Sequence, residues 1–313
     1  MKIVCLDAAT LGDYDLSVFE KFGSLQIYTT TNKEQTIERL KDANVAMTNK
    51  VVIDKDVIDA CKNLKLILET ATGVNNIDIE YAKEKGIIVK NAAGYSTMSV
   101  VQHTFAFMFA FLNQVLYYDK WSKEGKWCES PIFTDYSRIL NTLSGKKHGI
   151  IGLGTIGKEV AKISKAFGAE IYYYSTSGAN KNADFVHLHL ELKDLLKTCD
   201  IISIHAPLNE KTKNLLAFEE LKLLKDNAIL INVGRGGIVN ENDLAKIIDE
   251  KNIRVGLDVL EIEPMMKNHP LLSIKNKENL IITPHVAWAS KEALNALMDI
   301  VYNNLKEWIE NGK

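Results

Sequence analysis

Arg235, Glu263 and His285 follow, in that order, a glycine-rich turn reading Gly152-Leu153-Gly154-Thr155-Ile156-Gly157. Arginine carries a planar, permanently charged fork that grips a carboxylate through two parallel hydrogen bonds. Histidine titrates near neutrality, so it can hand a proton to a carbonyl oxygen or take one from a hydroxyl. A glutamate bonded to the other ring nitrogen fixes the tautomer and favours the imidazolium. Downstream of a dinucleotide-binding turn, this cation, carboxylate and imidazole are the parts needed to move a hydride and a proton onto a carbonyl beside a carboxylate.

The context of each residue favours that chemistry over a structural role. Arg235 sits in Asn232-Val233-Gly234-Arg235-Gly236-Gly237, straight after a strand expected at 228–233. Ligands bind at the carboxyl edge of such strands. Glycines on both sides let a ligand approach the backbone, which a solvated surface arginine does not need. His285 lies between Pro284 and Val286, after a strand expected at 280–283. By itself it reads as a core histidine bonded to a backbone carbonyl; in the company of Arg235 and Glu263 it reads as the acid/base. Glu263 is preferred to the nearby Glu261 because Pro264 stiffens its position. Asp258 closes a strand expected at 253–258, where a carboxylate serves as a strand-end cap or as a hold on a nicotinamide carboxamide.

The glycine turn lies between a strand pattern at 148–153 and a helix pattern at 157–167, the context a dinucleotide fingerprint requires. Gly152 permits the tight turn, Gly154 lets the backbone near a pyrophosphate, and Gly157 brings the helix close to the strand. The helix N-terminus faces the anion. The next strand, expected at 170–174, should end in Asp or Glu to bond the ribose 2′-hydroxyl. The chain instead reads Tyr172-Tyr173-Tyr174-Ser175-Thr176-Ser177. Ser175 and Thr176 can bond a hydroxyl or a phosphate, Lys181 can offer charge to a phosphate, and no carboxylate repels one. NAD and NADP both stay open.

These residues need a scaffold that gathers separate strand ends. Strands are expected at 2–8, 25–30, 45–48, 64–69 and 87–91, alternating with helical patterns at 33–41, 56–61 and 79–85. The run Leu64-Lys65-Leu66-Ile67-Leu68 suits a central parallel strand covered on both faces. A second series places strands at 148–153, 170–174, 201–205, 228–233, 253–258 and 280–283. Its helices fall at 157–167, 192–197, 219–224 and 241–251, and a terminal amphipathic helix covers 291–310. Six strands with helical crossovers is the count of a dinucleotide-binding fold. The expected class is α/β, with two doubly wound parallel-sheet domains.

Composition narrows the partners. At 313 residues, 46% hydrophobic and 25% charged, the chain fits two globular domains. A net charge of −2 gives nucleic acid no footing. Cys5, Cys61, Cys128 and Cys199 form no CxxC pair, so no metal site or disulfide framework is readable and a cytoplasmic location is expected. Residues 1–7 read as a strand, not a signal peptide. Residues 91–118 hold no Asp, Glu, Lys or Arg and are long enough for a bilayer. Ser99, Gln102, His103, Thr104, Asn113 and Gln114 are costly in lipid. One long helix at 98–123, buried between domains or subunits, is expected instead, with no membrane partner.

With these motifs in place, the chain resembles the D-isomer-specific 2-hydroxyacid dehydrogenase family over nearly its whole length. The likeness runs through Thr72-Gly73-Val74-Asn75-Asn76-Ile77-Asp78, Gly94-Tyr95-Ser96-Thr97, Ser99-Val100-Val101-Gln102-His103-Thr104 and the glycine turn. It continues through His205-Ala206-Pro207-Leu208, Asn232-Val233-Gly234-Arg235-Gly236, Gly256-Leu257-Asp258-Val259, Glu263-Pro264 and Thr283-Pro284-His285-Val286-Ala287-Trp288-Ala289. The resemblance implies Arg235, Glu263 and His285 as the catalytic set. It implies substrate contacts near Thr72, Gly73 and Val74, with Trp288 shaping the pocket. Cofactor contacts are implied at Thr104, Thr155, Ile156, Ser175, His205, Pro207, Val233, Gly234 and Asp258, beside Gly152, Gly154 and Gly157.

The resemblance also implies a flavodoxin-like substrate domain at 1–100 plus 285–313 and a Rossmann-type NAD(P)-binding domain at 101–284. A substrate cleft between them and a homodimer through the helix near 98–123 belong to the same implication. Segments 97–104 and 285–289 look most like the family branch that interconverts D-glycerate and hydroxypyruvate. Glu263 speaks against formate dehydrogenases, which typically have Gln there. The chain, ending at Lys313, is expected to lack the regulatory domain that phosphoglycerate dehydrogenases often carry. The expected activity is hydride transfer between NAD, with NADP open, and a small 2-ketoacid, giving D-glycerate or glycolate. D-lactate or another D-2-hydroxyacid is the alternative substrate, and a cofactor-sensing, corepressor-like binding protein is the reading from another class.

Overall fold

The computed structural model describes residues 1–178 and 188–312. Its contacts gather the chain into two compact units, Met1–Ser96 with Ala289–Lys313, and Thr97–Trp288.

In the first unit, β1 (Lys2–Cys5), β2 (Ser24–Ile27), β3 (Val45–Thr48), β4 (Leu66–Glu69) and β5 (Ile88–Lys90) form a sheet in the order β2-β1-β3-β4-β5. Every pairing is parallel, and this is the flavodoxin-like order. The crossovers carry α1 (Lys33–Leu40), α2 (Lys55–Ala60) and α3 (Ile79–Glu84). Their starts are written in the sequence. Asn32 forms a capping box with Gln35, and the side chains of Asp54 and Asp78 accept from the N–H three residues on. β3 and β4 are buried along their whole length, as central parallel strands should be.

The second unit opens with α4 (Thr97–Leu112) and α5 (Val115–Lys123). Its sheet comprises β6 (Lys147–Ile151), β7 (Glu170–Tyr174), β8 (Leu188–His189), β9 (Ile201–Ile204), β10 (Ile229–Asn232), β11 (Arg254–Leu257) and β12 (Leu280–Ile282). The order is β12-β11-β10-β9-β6-β7-β8, so the direction of winding reverses beside β6. That is the switch point where doubly wound sheets take their ligands. Between the strands run α6 (Thr155–Ala166), α7 (Leu192–Thr198), α8 (Phe218–Lys222) and α9 (Glu241–Glu250). The last helix, α10 (Lys291–Glu310), returns to the first unit and packs near β4.

Two expectations need correction. The sheet has a seventh strand, β8, whose two residues are too few to show a pattern. The single helix expected at 98–123 is two helices bent by 57°. Gln114 takes a left-handed φ of 52°, and its side-chain amide donates to the Phe111 carbonyl that the ending helix leaves open. α4 belongs to the second unit's own core: Val101, Phe105, Phe107, Met108 and Phe111 pack with Ile150, Val160 and Ile231. No single helix among the described residues is long and apolar enough to cross a membrane.

Candidate active site

The glycine turn links β6 to α6, and its three glycines meet different demands. Gly152 has a φ of +95°, and a Cβ there would stand 2.7 Å from the Ala206 nitrogen. A Cβ at Gly157 would stand 2.2 Å from the Gly152 carbonyl oxygen. Gly154, the N-cap of α6, has open space where its Cβ would be. Packing therefore requires the outer two glycines, and the middle one leaves room before a helix N-terminus that favours anions. Thr155 and Ile156 are the first residues of that helix.

A pocket of about 600 Å³ opens there, walled by Gly152, Gly154, Tyr174, Ser175, Thr176 and His205 among others. Pro207 also lines it, and its carbonyl accepts from the Thr212 hydroxyl at 2.7 Å. Past β7 the chain bends on itself, with Ser175 Oγ 2.8 Å from Ser177 Oγ and accepting the Ser177 N–H at 3.3 Å. Lys181 lies outside the described residues. Thr104 stands apart from this pocket. It is fully buried in α4, and its hydroxyl donates to the Val100 carbonyl at 2.8 Å.

Behind the pocket runs a polar chain that sequence reading did not find. His148 on β6 bonds Ser164 Oγ through Nδ1 at 2.8 Å and Ser203 Oγ through Nε2 at 2.9 Å. Ser203 Oγ in turn lies 2.9 Å from His205 Nε2. Burial pushes both imidazoles down to about 3, with His205 adding to the effect on His148. Both rings are neutral at physiological pH. His205 is half-buried as a residue, yet its Nδ1 is sealed from solvent without a partner. An orphaned ring nitrogen on the wall of a pocket is a place for a ligand's polar atom. The open cradle, the helix N-terminus and this nitrogen fit a dinucleotide.

Arg235 follows β10, Glu263 follows β11 and His285 follows β12, three neighbouring parallel strands. All three residues therefore emerge at the carboxyl edge of one sheet, over a span of about 10 Å at two strand spacings. His285 Nδ1 lies 2.7 Å from Glu263 Oε2, and Glu263 Oε1 accepts the Leu260 N–H at 2.9 Å. The imidazole thus meets Glu263, while Glu261 offers only its backbone N–H to Glu241 at 2.6 Å. With Nδ1 spent on Glu263, Nε2 is the ring nitrogen of His285 left on the far side of the imidazole.

His285 is held in the left-handed region at φ 53°, which suits few side chains. Asp258, just past β11, enforces it. This buried carboxylate accepts from Thr283 Oγ1 at 2.5 Å and from the N–H groups of Val286 and Ala287 at 2.9 and 2.8 Å. His103 Nε2 joins the network 3.0 Å from Thr283 Oγ1. Asp258 therefore fastens the histidine loop. Asn232, at the end of β10, does the same for the arginine loop. Its Nδ2 donates to the Arg235 carbonyl at 2.9 Å and its Oδ1 accepts the Gly234 N–H at 3.1 Å. Arg235 is half-buried, and Nη1 donates to the Gly234 carbonyl at 2.8 Å. Val233 is buried in an apolar cluster with Ile231 and Ala287, and Trp288 packs half-buried against it. The sequence reading missed this clamp; a polar residue ending an apolar strand, as Asn232 does, is the signal that could have found it.

Within the first unit, Thr72, Gly73 and Val74 form the bend after β4. The Thr72 hydroxyl donates to the Ala92 carbonyl at 2.9 Å, and Ile77 N–H returns to the Val74 carbonyl at 3.1 Å.

Comparison with known proteins bears on the family and the fold. The family model described as D-isomer specific 2-hydroxyacid dehydrogenase, NAD binding domain, matches residues 105–287. The hydroxypyruvate reductase of Blautia hydrogenotrophica is 37% identical, over 99% of this chain and 97% of its own length. An acyclic imino acid reductase solved in complex with NADPH and D-Arg has a TM-score of 0.86 at 28% identity, covering 99% of this chain and 98% of the other. D-lactate dehydrogenase from Aquifex aeolicus, solved with NAD and lactic acid, has a TM-score of 0.86 at 26% identity, covering 99% and 96%. With the glycine turn, the clamped arginine and the glutamate-held histidine on one sheet edge, the chain belongs to the D-isomer-specific 2-hydroxyacid dehydrogenase family.

Proposed function

We propose that the chain reduces small 2-ketoacids with a nicotinamide cofactor, taking hydroxypyruvate to D-glycerate and glyoxylate to glycolate. The carrying observation is the 2.7 Å His285–Glu263 pair on the same sheet edge as Arg235. Arg235 grips the substrate carboxylate and polarises the neighbouring carbonyl. His285 delivers a proton from Nε2 to the carbonyl oxygen, while Glu263 on Nδ1 stabilises the imidazolium before transfer. When bound, the dihydronicotinamide supplies the hydride that makes the carbonyl carbon a carbinol. In the reverse direction His285 takes the hydroxyl proton. The backbone of Thr72, Gly73 and Val74 contributes to carboxylate binding, and Trp288 limits the pocket to a short chain.

The cofactor's phosphates belong at Gly154, Thr155 and Ile156, with His205, Pro207, Val233 and Gly234 alongside. Ser175 and Thr176 face its adenosine ribose. Residues 175–178, next after β7, hold no carboxylate to repel a 2′-phosphate, so the cofactor is NAD with NADP open. This assigns the second unit to cofactor and the first to substrate. A homodimer covers the apolar surface of α5 and the segment after it, where Phe133, Tyr136 and Ile139 are 87, 83 and 78% exposed. The four free cysteines suit the reducing cytoplasm. The relative named hydroxypyruvate reductase supports the substrate, and neighbours solved with NADPH and with NAD support the shared cofactor.

Initial rates with hydroxypyruvate, glyoxylate, pyruvate and phenylpyruvate, each with NADH and NADPH, test the proposal. Hydroxypyruvate is expected to give the highest kcat/KM. A higher value for pyruvate would transfer the assignment to D-lactate, and tight NADH binding without turnover of any ketoacid would leave a binding protein.

A further inference from the structure

The contacts that hold Glu263 continue below the His285 pair. His269 is 3% exposed. Its Nδ1 accepts the Leu271 N–H at 3.3 Å, which leaves its proton on Nε2, and Nε2 donates to Glu241 Oε2 at 2.8 Å. Glu241 Oε1 accepts the Glu261 N–H at 2.6 Å. One enclosed carboxylate therefore joins a buried imidazole to the backbone of the loop that carries Glu263.

That stretch of backbone is gripped from two further sides. A Cβ on Gly236 would stand 1.9 Å from the Leu260 carbonyl oxygen and 2.4 Å from the Glu261 nitrogen. The residue next to Arg235 thus abuts the same peptide that Glu241 holds. The Leu260 N–H donates to Glu263 Oε1 at 2.9 Å, and Glu263 Oε2 reaches His285. Glu241 is not needed to start α9, because Asn240 already caps that helix through the Asp243 N–H at 3.1 Å. An acid in the first turn suits the helix N-terminus, but that does not require its carboxylate to be 10% exposed beside a histidine.

We propose that Glu241 and His269 are positioning residues. They fix the Leu260–Glu261 peptide, and through it set both the reach of Glu263 to His285 and the stop against which the Arg235 loop rests. The proposal rests on the dehydrogenase reading of the site. Neither residue lines the pocket at the glycine turn. Their influence is on geometry, and a misplacement of order 1 Å at a reacting group costs up to about a hundredfold in rate.

The test compares wild type, Glu241→Ala, Glu241→Gln and His269→Leu for kcat, KM, the pH profile of kcat, NADH dissociation constant and the ¹⁵N signals of the His285 ring. Glu241→Ala is expected to lower kcat with hydroxypyruvate about ten- to a hundredfold, to alter the pH profile, and to leave NADH affinity within about twofold. Glu241→Gln keeps an acceptor for the Glu261 N–H and is expected to recover most of kcat. His269→Leu is expected to fall between, and it decides the matter should Glu241→Ala not fold. Unchanged kcat and pH profile in folded variants with lowered Tm would mean that the pair only stabilises, and would overturn the proposal. So would a loss of NADH affinity equal to the loss of kcat. The ring signals read the His285–Glu263 bond without turnover. An inactive wild type would therefore sink the dehydrogenase reading while the Glu241→Ala spectrum still decides the positioning role: a shifted His285 ring supports it and an unshifted one refutes it.

Discussion

Replacing Glu263 by Gln isolates what its charge contributes, because the shape is kept. In the wild type His285 Nδ1 at 2.7 Å and the Leu260 N–H at 2.9 Å both point at the carboxylate. An amide has one acceptor and one donor for the same two positions. If its oxygen stays with Leu260, its NH₂ meets the ring, Nδ1 becomes an acceptor, and the imidazolium loses its counter-charge. If the amide turns round, the Leu260 N–H is opposed instead. A hydrogen bond to a charged group is worth about 1.5–3 kcal/mol. The two side chains keep 27 and 34% of their surface in water, so the low end applies, about 1.5–2 kcal/mol. At about 1.4 kcal/mol per tenfold, kcat/KM for hydroxypyruvate should fall about ten- to thirtyfold. Steady-state rates with saturating NADH measure it, and fluorescence titration measures NADH affinity, which should stay within about twofold because the glycine turn is untouched. A variant within about threefold of wild type in kcat/KM would refute the role given to Glu263. A parallel loss of NADH binding would show that the loop had collapsed, not that a charge had been removed.

Arg235→Lys keeps a positive charge and loses the fork, so KM for the ketoacid should rise and kcat fall in the same rate assay; an unchanged KM would count against a carboxylate grip. His148 makes a prediction about stability. Its folded value of about 3 lies below the ordinary 6.5, so below pH 6.5 the unfolded chain takes up a proton that the folded chain refuses. Its contribution is complete above pH 6.5 and declines as pH falls toward 3, by about 1.4 kcal/mol per unit, or about 2 kcal/mol between pH 6.5 and 5. Urea unfolding at several pH values should show a slope in wild type to which His205, also held at about 3, adds its own share, and a shallower slope in His148→Asn; parallel slopes would mean that His148 is not held neutral.

Local signals carried much of the fold and site. The alternating strand and helix patterns, the apolar run of β4 and the glycines around Arg235 each act on their immediate neighbours, so their meaning survives in a linear string. The split of the helix near Gln114 did not, because a glutamine in a left-handed conformation leaves none of the marks that Gly or Pro leave. Asp258 shows a different limit. A carboxylate at a strand end allowed two roles, and only the placement of Thr283, Val286 and Ala287 around it shows it fastening the loop of His285.

The sequence by itself determined the chemistry available. It supplied the arginine, glutamate and histidine after three successive strand patterns, the Gly-x-Gly-x-x-Gly turn and the missing carboxylate after β7. Tertiary structure alone decided which groups meet. Parallel pairing set the ends of β10, β11 and β12 side by side, and the same packing joined His148 to Ser203 and His269 to Glu241. Those partners lie 55 and 28 positions apart, too far for any periodicity to couple them. A hydrogen bond depends on distance and direction in space, and only the closed sheet with its helices supplies both.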